Sequence, residues 1–427
     1  MAHITENLQT IYDCRVDIKQ AIIDKGGNVG DLTTYANAIR NLPTGDSNGG
    51  SGGGSSSGKG DVTFYDYDGI ILHSYSKDDF LALTALPDLP TQPGLTCQGW
   101  NYDITNAKSY VEKYGKLDIG ATYITDDGKT RLYIRIASEG RMDIQLYYSQ
   151  TKGSGVVIDW GDGISVRTLD STGNKTIGHT YTNIGDYCIT FAVDSDCTLG
   201  LGNNSSSYCV MGSLNNNNNK VYCNMLQKVE IGTRTSVGAY AFCNCYSLSS
   251  VIIPNSVTSI GAYAFRSCYS LSAIVIPKSV YSIGTYAFHE CYSLSSILIP
   301  YNSVTSIGTY AFCHCRSLSS IVIPNSVTSI NEAVFSYCYS LSSVIIPNSV
   351  TSIGAYAFQY CYGMAFYDFS IHTPVPTLSN TNAFSSIPSD CKIIVSNSLY
   401  DVWKIATNWS TYASNIIKKS DWDALQN

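Results

Sequence analysis

Cysteine and histidine are the residues of this sequence whose spacing most suggests chemistry. Six of the 15 cysteines stand in series, Cys245, Cys268, Cys291, Cys315, Cys338 and Cys361, at steps of 23, 23, 24, 23 and 23 residues. Disulfide frameworks are not spaced so evenly, and 15 is odd, whereas a stacked repeat produces such a series. The six are expected to be reduced and buried, small hydrophobes in one column. Within the series, His289-Glu290 and Cys313-His314 lie one repeat apart. Coils of a solenoid stack about 5 Å apart, so His289 would lie near Cys313 and Glu290 near His314. Two imidazoles, a thiol and a carboxylate could hold zinc. Side chains adjacent in sequence diverge unless the turn converges them, so surface variation is the expectation, with no metal and no cofactor.

Other chemical motifs lack their frames. Gly49-Gly50-Ser51-Gly52-Gly53 matches a nucleophile elbow, and Gly53 to Lys59 nearly matches a phosphate-binding loop. The first needs a strand-turn-helix setting and the second needs Ser or Thr where Gly60 stands. The six histidines are scattered, without a His-Glu-x-x-His pair or a nucleophile beside a base. No enzyme is expected. Asp159 and Asp162 could be read as a calcium site, but Asp in such turns accepts from its own backbone amides. The turn reading is taken, and His179 is read as a structural histidine.

Composition narrows the rest. The 427 residues are 44% hydrophobic, 12% aromatic and 14% charged, with 35 Gly and 33 Tyr against 5 Met, which describes a mainly β molecule. The length exceeds one ordinary compact domain, so several modules or an elongated repeat are expected. The formal charge of −7 carries no basic stripe, which argues against nucleic acid. No run of 18 apolar residues predicts membrane insertion. The start, MAHITENLQT, has neither a basic n-region nor an apolar h-region, so export through a signal peptide is not expected.

Along the chain, residues 1–43 read as a helical anchor. Ile4, Ile11 and Ile18 are seven apart, and Leu8 and Ile22 fill the neighbouring seam, a heptad pattern that predicts oligomerisation, as a homotrimer. Residues 44–60 hold eight Gly and five Ser and read as a flexible tether spanning roughly 20–25 Å. Residues 61–115 begin with alternating strands around an Asp68-Gly69 turn, followed by Pro87, Pro90, Pro93 and a strand at Trp100; Asn106 to Tyr114 predicts a short helix. This order resembles the internalin B-repeat family and implies a small β-grasp-like module. Residues 116–200 predict a β-sandwich. Trp160-Gly161-Asp162-Gly163, His179-Thr180-Tyr181 and Gly185-Asp186-Tyr187 resemble the polycystic-kidney-disease (PKD) type of immunoglobulin-like domain, which implies Trp160 as a core plug. Residues 201–228 read as a polar connector.

From Val229 the repeat is legible. Phe242, Phe265, Phe288, Phe312, Phe335 and Phe358 form one column and Pro254, Pro277, Pro300, Pro324 and Pro347 another, with Tyr301 the single insertion. This text resembles the BspA-type leucine-rich repeat and implies a solenoid over 229–388. Leu248, Val251 and Ile253 are expected to face its interior, Gly261 to permit the next turn, and residues 389–427 to cap it with CKIIV and a helix near Leu399–Ile416 bearing Trp403 and Trp409. The predicted fold is thus mainly β and multidomain: helical anchor, β-grasp-like module, sandwich, solenoid and helical cap.

Val229–Tyr362 holds only seven charges, so Ser, Thr, Asn and Tyr must solvate it, as they do in protein-binding paratopes; aromatic faces also suit sugars. Variation follows the Phe column: Cys243-Asn244, Arg266-Ser267, His289-Glu290, Cys313-His314, Ser336-Tyr337 and Gln359-Tyr360. Asn244, Arg266, Ser267, His289, Glu290, His314, Tyr337, Gln359 and Tyr360 are the candidate binding residues, although exposed positions free of packing constraint would vary in the same way. The 1–43 segment, with Lys25-Gly26-Gly27 and Thr34-Tyr35-Ala36-x-Ala38-Ile39 before a Gly/Ser tether, resembles the leading segment of structural proteins in gut-type tailed bacteriophages. That resemblance implies a virion fibre or decoration protein, docked on the particle through residues 1–43, with the solenoid binding host-surface or mucosal glycan or protein. The alternative expectation is a BspA-like adhesin at the bacterial cell surface.

Overall fold

In the computed structural model the described residues are 60–139, 142–151, 153, 155–168, 172–202, 209–212 and 223–426. The chain divides into compact units at 1–59 and 60–427. The expected anchor helix and the tether over 44–59 lie outside the described residues.

The first module is a four-stranded sheet, β1 (Val62–Tyr65), β2 (Ile71–Tyr75), β3 (Leu95–Trp100) and β4 (Leu117–Thr125), in the order β2-β1-β4-β3. Two helices, α1 (Lys77–Ala82) and α2 (Ile104–Tyr114), cover it. Ser76 and Asp103 start them by accepting from the Asp79 and Asn106 amides, and Gly115 ends α2 in the left-handed conformation. Phe64, Phe80, Trp100 and Val111 fill the core. Leu117–Thr125 was expected to open the sandwich; instead β4 lies beside β1 and completes the first sheet.

The sandwich follows: β5 (Thr130–Ile136), β6 (Asp143–Gln150), β7 (Val156–Asp159), β8 (Ser165–Thr168), β9 (Gly173–Thr180), β10 (Gly185–Val193) and β11 (Leu199–Leu201). Trp160 is fully buried, as expected. His179 stacks on it at 4.7 Å and bonds to the Asp162 carboxylate at 2.7 Å, and Tyr181 Oη donates to the Trp160 carbonyl.

The expected connector carries structure. It includes β12 (Met211–Gly212) against β6, and β13 (Leu226–Glu230) starts within it. β13 pairs antiparallel with β5 on one side and parallel with the repeat strand Ser250–Ile252 on the other. β11 pairs in parallel with β14 (Thr235–Val237). Both sheets of the sandwich therefore continue into the two strand faces of the solenoid, and one hydrophobic core runs from Leu132 to Ile416.

Each solenoid coil has three faces. One carries strands such as Ala273–Val275 and Ser296–Leu298, and another carries strands such as Ser259–Ile260 and Ser282–Ile283. The third is a turn whose alternate amides donate to the next coil, as Tyr240 to Ala262, Phe242 to Ala264 and Asn244 to Arg266 at 2.7–2.9 Å. Inside, the Phe rings stack at 5.2–5.6 Å from Phe242 through Phe384. The thiols of Cys268, Cys291, Cys315, Cys338 and Cys361 each donate to a Phe carbonyl one coil back. All 14 described cysteines are free of disulfides. Gly261 does not have the positive φ that a turn role would require; a Cβ there would lie 2.4 Å from the Gly238 backbone, so close stacking demands it. At the far end, the expected long helix is instead α3 (Tyr400–Ile405), a 3₁₀ turn at Trp409–Tyr412, a strand at Ile416–Lys418 and α4 (Lys419–Gln426). Trp403 and Trp409 are buried there against Phe369 and Phe384. Among the described residues no helix is long and apolar enough to cross a membrane.

The first module lies against the outside of the solenoid. Ile252, Val275 and Leu298 point outward by strand alternation, yet are only 1%, 6% and 6% exposed, because the module covers them. Tyr301, the inserted residue, meets Tyr110 edge-on at 4.7 Å, and Tyr102 Oη donates to the Ile299 carbonyl. Gly120 faces Val275 and Leu298 so closely that a Cβ would lie 2.7–2.9 Å from their methyl groups. Gly120→Ala is expected to destabilise the protein by about 1–3 kcal/mol through overpacking, measured as a lowered urea midpoint.

Candidate functional site

The residues that vary beside the Phe column form a ridge on the turn face. Their backbone explains its shape. Asn244, Ser267, Glu290, His314, Tyr337 and Tyr360 all have φ between 58° and 64°, a left-handed conformation repeated at the same point of every coil. Such residues cost roughly 1–2 kcal/mol each, so the inter-coil hydrogen bonds and stacking must hold them there.

None of the twelve varied side chains is fully exposed: Cys243, Ser267, Cys313 and Ser336 are buried and the other eight are half-buried. Several of them pack on one another. His314 stacks on Tyr337 at 4.1 Å and Tyr337 packs on Tyr360 at 4.6 Å. Arg266 lies over Tyr263, and Ser267 Oγ donates to Glu290 at 2.7 Å. Asn244 stands in the column of His314 and Gln359 in that of His289, with the Gln359 amide donating to Ser385.

The side chains of Cys313 and His314 do not diverge. Each ridge turn replaces the extended run in which neighbours would alternate sides, and ligand-type atoms of His289, Cys313 and His314 all lie within 4.8 Å of one another. Burial pushes the His289 imidazole down to about 4, against the pull of Glu290. His289 is therefore neutral at pH 7, and its 3.7 Å contact with Glu290 is not an ion pair there. His314 is lowered by burial and by Arg316, and burial pushes the Cys313 thiol up to about 12. A second thiol group, Cys209, Cys223 and Cys245, is wholly buried where the sandwich meets the first coil, with Cys209 Sγ 3.2 Å from Cys245 Sγ.

Two tyrosine ladders flank the ridge, and these the sequence reading had not singled out. Tyr240, Tyr263, Tyr286 and Tyr310 stack at 4.7–4.9 Å within 9° of parallel. Tyr246, Tyr269 and Tyr292 stack at 4.6–4.7 Å. Arg316 then stands where the second column would have its next Tyr, its guanidinium 4.3 Å from the Tyr292 ring and 5.7 Å from Tyr339. The signal was available, since Tyr recurs one residue after each column cysteine and Arg316 replaces it. A further cleft of about 250 Å³ lies between the first module and the solenoid, lined by Asn101, Asp103, Asn106, Lys278, Tyr301 and Asn302 among others. Asp159 and Asp162 accept from the Gly161 and Ile164 amides, the turn chemistry expected of them.

The class this geometry defines is a leucine-rich-repeat β-solenoid. More narrowly, the family described as "BspA type Leucine rich repeat region" matches residues 235–365 in six copies, and the repeats are of that type. No curated protein matches the chain. Among solved structures, a leucine-rich repeat protein of T. pallidum is 30% identical over 30% of this chain and 64% of its own, with a TM-score of 0.28. One from Bacteroides ovatus is 25% identical over 38% and 46%, at a TM-score of 0.32. A leucine rich cell surface protein from Faecalibacterium prausnitzii is 19% identical over 55% and 95%, at 0.19. The chain covers less than two thirds of the first two.

Two outcomes are expected. Asn244→Val, a β-branched residue forced to φ 62°, lowers stability by about 1–2 kcal/mol, whereas Asn244→Gly does not; urea denaturation distinguishes them. In the sandwich, burial raises Asp162, but the hydrogen bonds from His179 and the Ile164 amide outweigh it and depress its pKa below 3.8. A depressed carboxylate stabilises the fold above its ordinary range and loses that contribution as pH falls through the folded value. The stability gap between wild type and Asp162→Asn should therefore narrow below pH 3.8, read from denaturation midpoints across a pH series.

Proposed function

We propose that this protein is a non-enzymatic recognition protein displayed at a bacterial cell surface, whose solenoid ridge binds host or mucosal protein or glycan. The observation that carries this reading is the paired tyrosine ladders beside a ridge with few charges. Stacked rings cover one another's faces, so the ladders offer edges and hydroxyls in a fixed row. That favours a ligand that hydrogen-bonds along the row, a protein strand or an extended glycan, over one that stacks a sugar on a ring face. Rings already held in place lose little freedom on binding, which conserves affinity. Display in many copies would raise weak single-site affinity by avidity.

A second reading, a bacteriophage fibre or decoration protein, rests on the resemblance of residues 1–43 and on the Gly/Ser tether after them. In it those residues dock on the particle and the Ile4–Ile22 heptad makes a homotrimer. In both readings the β-grasp-like and PKD-like modules support the solenoid, one covering its outer face and the other its first coil.

The full chain is expected to bind mucin or cultured-cell surfaces, and Tyr263→Phe/Tyr286→Phe, which keeps the stacked rings and removes their hydroxyls, to weaken that binding at least tenfold with an unchanged melting temperature. Undiminished binding by the double variant would sink the ridge as the site. Removing residues 1–60 separates the settings: a surface adhesin keeps its cell binding, while a virion part loses particle incorporation and its trimeric light-scattering mass.

A further inference from the structure

We propose that His289, Cys313 and His314 form a zinc site that clips two neighbouring coils together on the ridge. The three donors come from adjacent coils and lie within 4.8 Å of one another. Tetrahedral zinc with ordinary Zn–N and Zn–S bonds needs its donors about 3.4–3.6 Å apart, so the side chains close by about an ångström, within the reach of small rotations.

Two independent features point to a metal-binding role. His289 Nδ1 and His314 Nδ1 are both buried and have no hydrogen-bond partner. Buried polar atoms are ordinarily satisfied, and here both belong to histidines of one donor cluster. The rings are also held in place. Tyr286 packs edge-on against His289 at 5.1 Å, Tyr337 stacks on His314 at 4.1 Å, and the two imidazoles meet at 75° with centroids 5.6 Å apart.

The donor set suits the ion. Two neutral imidazoles and a thiol form a borderline-soft site that takes zinc in preference to calcium or magnesium. Binding displaces the Cys313 thiol proton to solvent as the Sγ–Zn bond forms. Glu290, 3.7 Å from His289 and fixed by Ser267, offsets the Arg266 cation on the other side. Three protein ligands leave a fourth position for water. The site is independent of what the ridge recognises.

The repeats themselves supply conservative substitutions, because Gln359, Ser336 and Asn244 occupy the positions of His289, Cys313 and His314 in other coils. The experiment takes metal-stripped full chain, wild type and the triple variant H289Q/C313S/H314N, and titrates each with zinc chloride by calorimetry, with metal counted by mass spectrometry. Cobalt(II) serves as a spectroscopic probe. Wild type should bind one zinc equivalent more than the triple variant and show a thiolate-to-cobalt absorption that the variant lacks. Each single variant should weaken that equivalent at least tenfold, and zinc should raise the wild-type melting temperature. The proposal is overturned if wild type binds no zinc, if the triple variant binds as much as wild type with equal affinity, or if Cys245→Ser alone abolishes all binding, which would assign the metal to the Cys209, Cys223 and Cys245 thiols. Apo melting curves check that the triple variant folds, and the single variants carry the test if it does not.

Discussion

No coil of this solenoid has an interior of its own. A turn of 23 residues encloses one Phe, one Cys and a few aliphatic side chains, and each of these is buried only because the next coil lies on top. The stacked Phe rings and the thiol-to-carbonyl bonds are two forms of the same dependence, one apolar and one polar. Removing a coil from the stack would expose the apolar faces of its neighbours, and a column of this kind is stable only when both ends are covered.

The ends are covered by different means. At the start, the sandwich lends its two sheets to the solenoid, so that β5 and β11 pair with the first repeat strands and leave no open edge there. Unpaired strand edges invite association with other chains, and sharing sheets disposes of one. At the finish, Trp403 and Trp409 close the Phe column with their rings, and the parallel strands Lys392–Val395 and Ile416–Lys418 extend the last sheet. The first module then covers the outer residues Ile252, Val275 and Leu298, which a free solenoid would expose.

Stacking also organises the surface. Because every coil repeats the same left-handed residues, side chains at those positions form straight columns, and whatever type a coil carries there meets its counterparts directly. Tyr columns become ladders, Arg316 becomes a cation between two rings, and two histidines with a cysteine become a donor cluster. A repeat fold thereby turns single substitutions into local chemistry while the scaffold stays unchanged.

Period and composition were enough to read the mainly β class, the solenoid, the Phe and Cys columns, the reduced thiols and the Trp160 core, because identical residues at identical intervals stack on themselves wherever the rest of the chain goes. Even the turn role of Asp162 is local, set by amides two residues away. The sheets shared with β5 and β11, the docking of the first module on Tyr301, and the assignment of β4 to that module were not legible, since each joins segments remote in sequence. One hint was present: Val251, Ile252 and Ile253 are apolar in succession, which alternation forbids unless both faces are buried. The convergence of His289, Cys313 and His314 was decided by the sign of φ in each ridge turn, a property of the stacked backbone rather than of the residues' spacing.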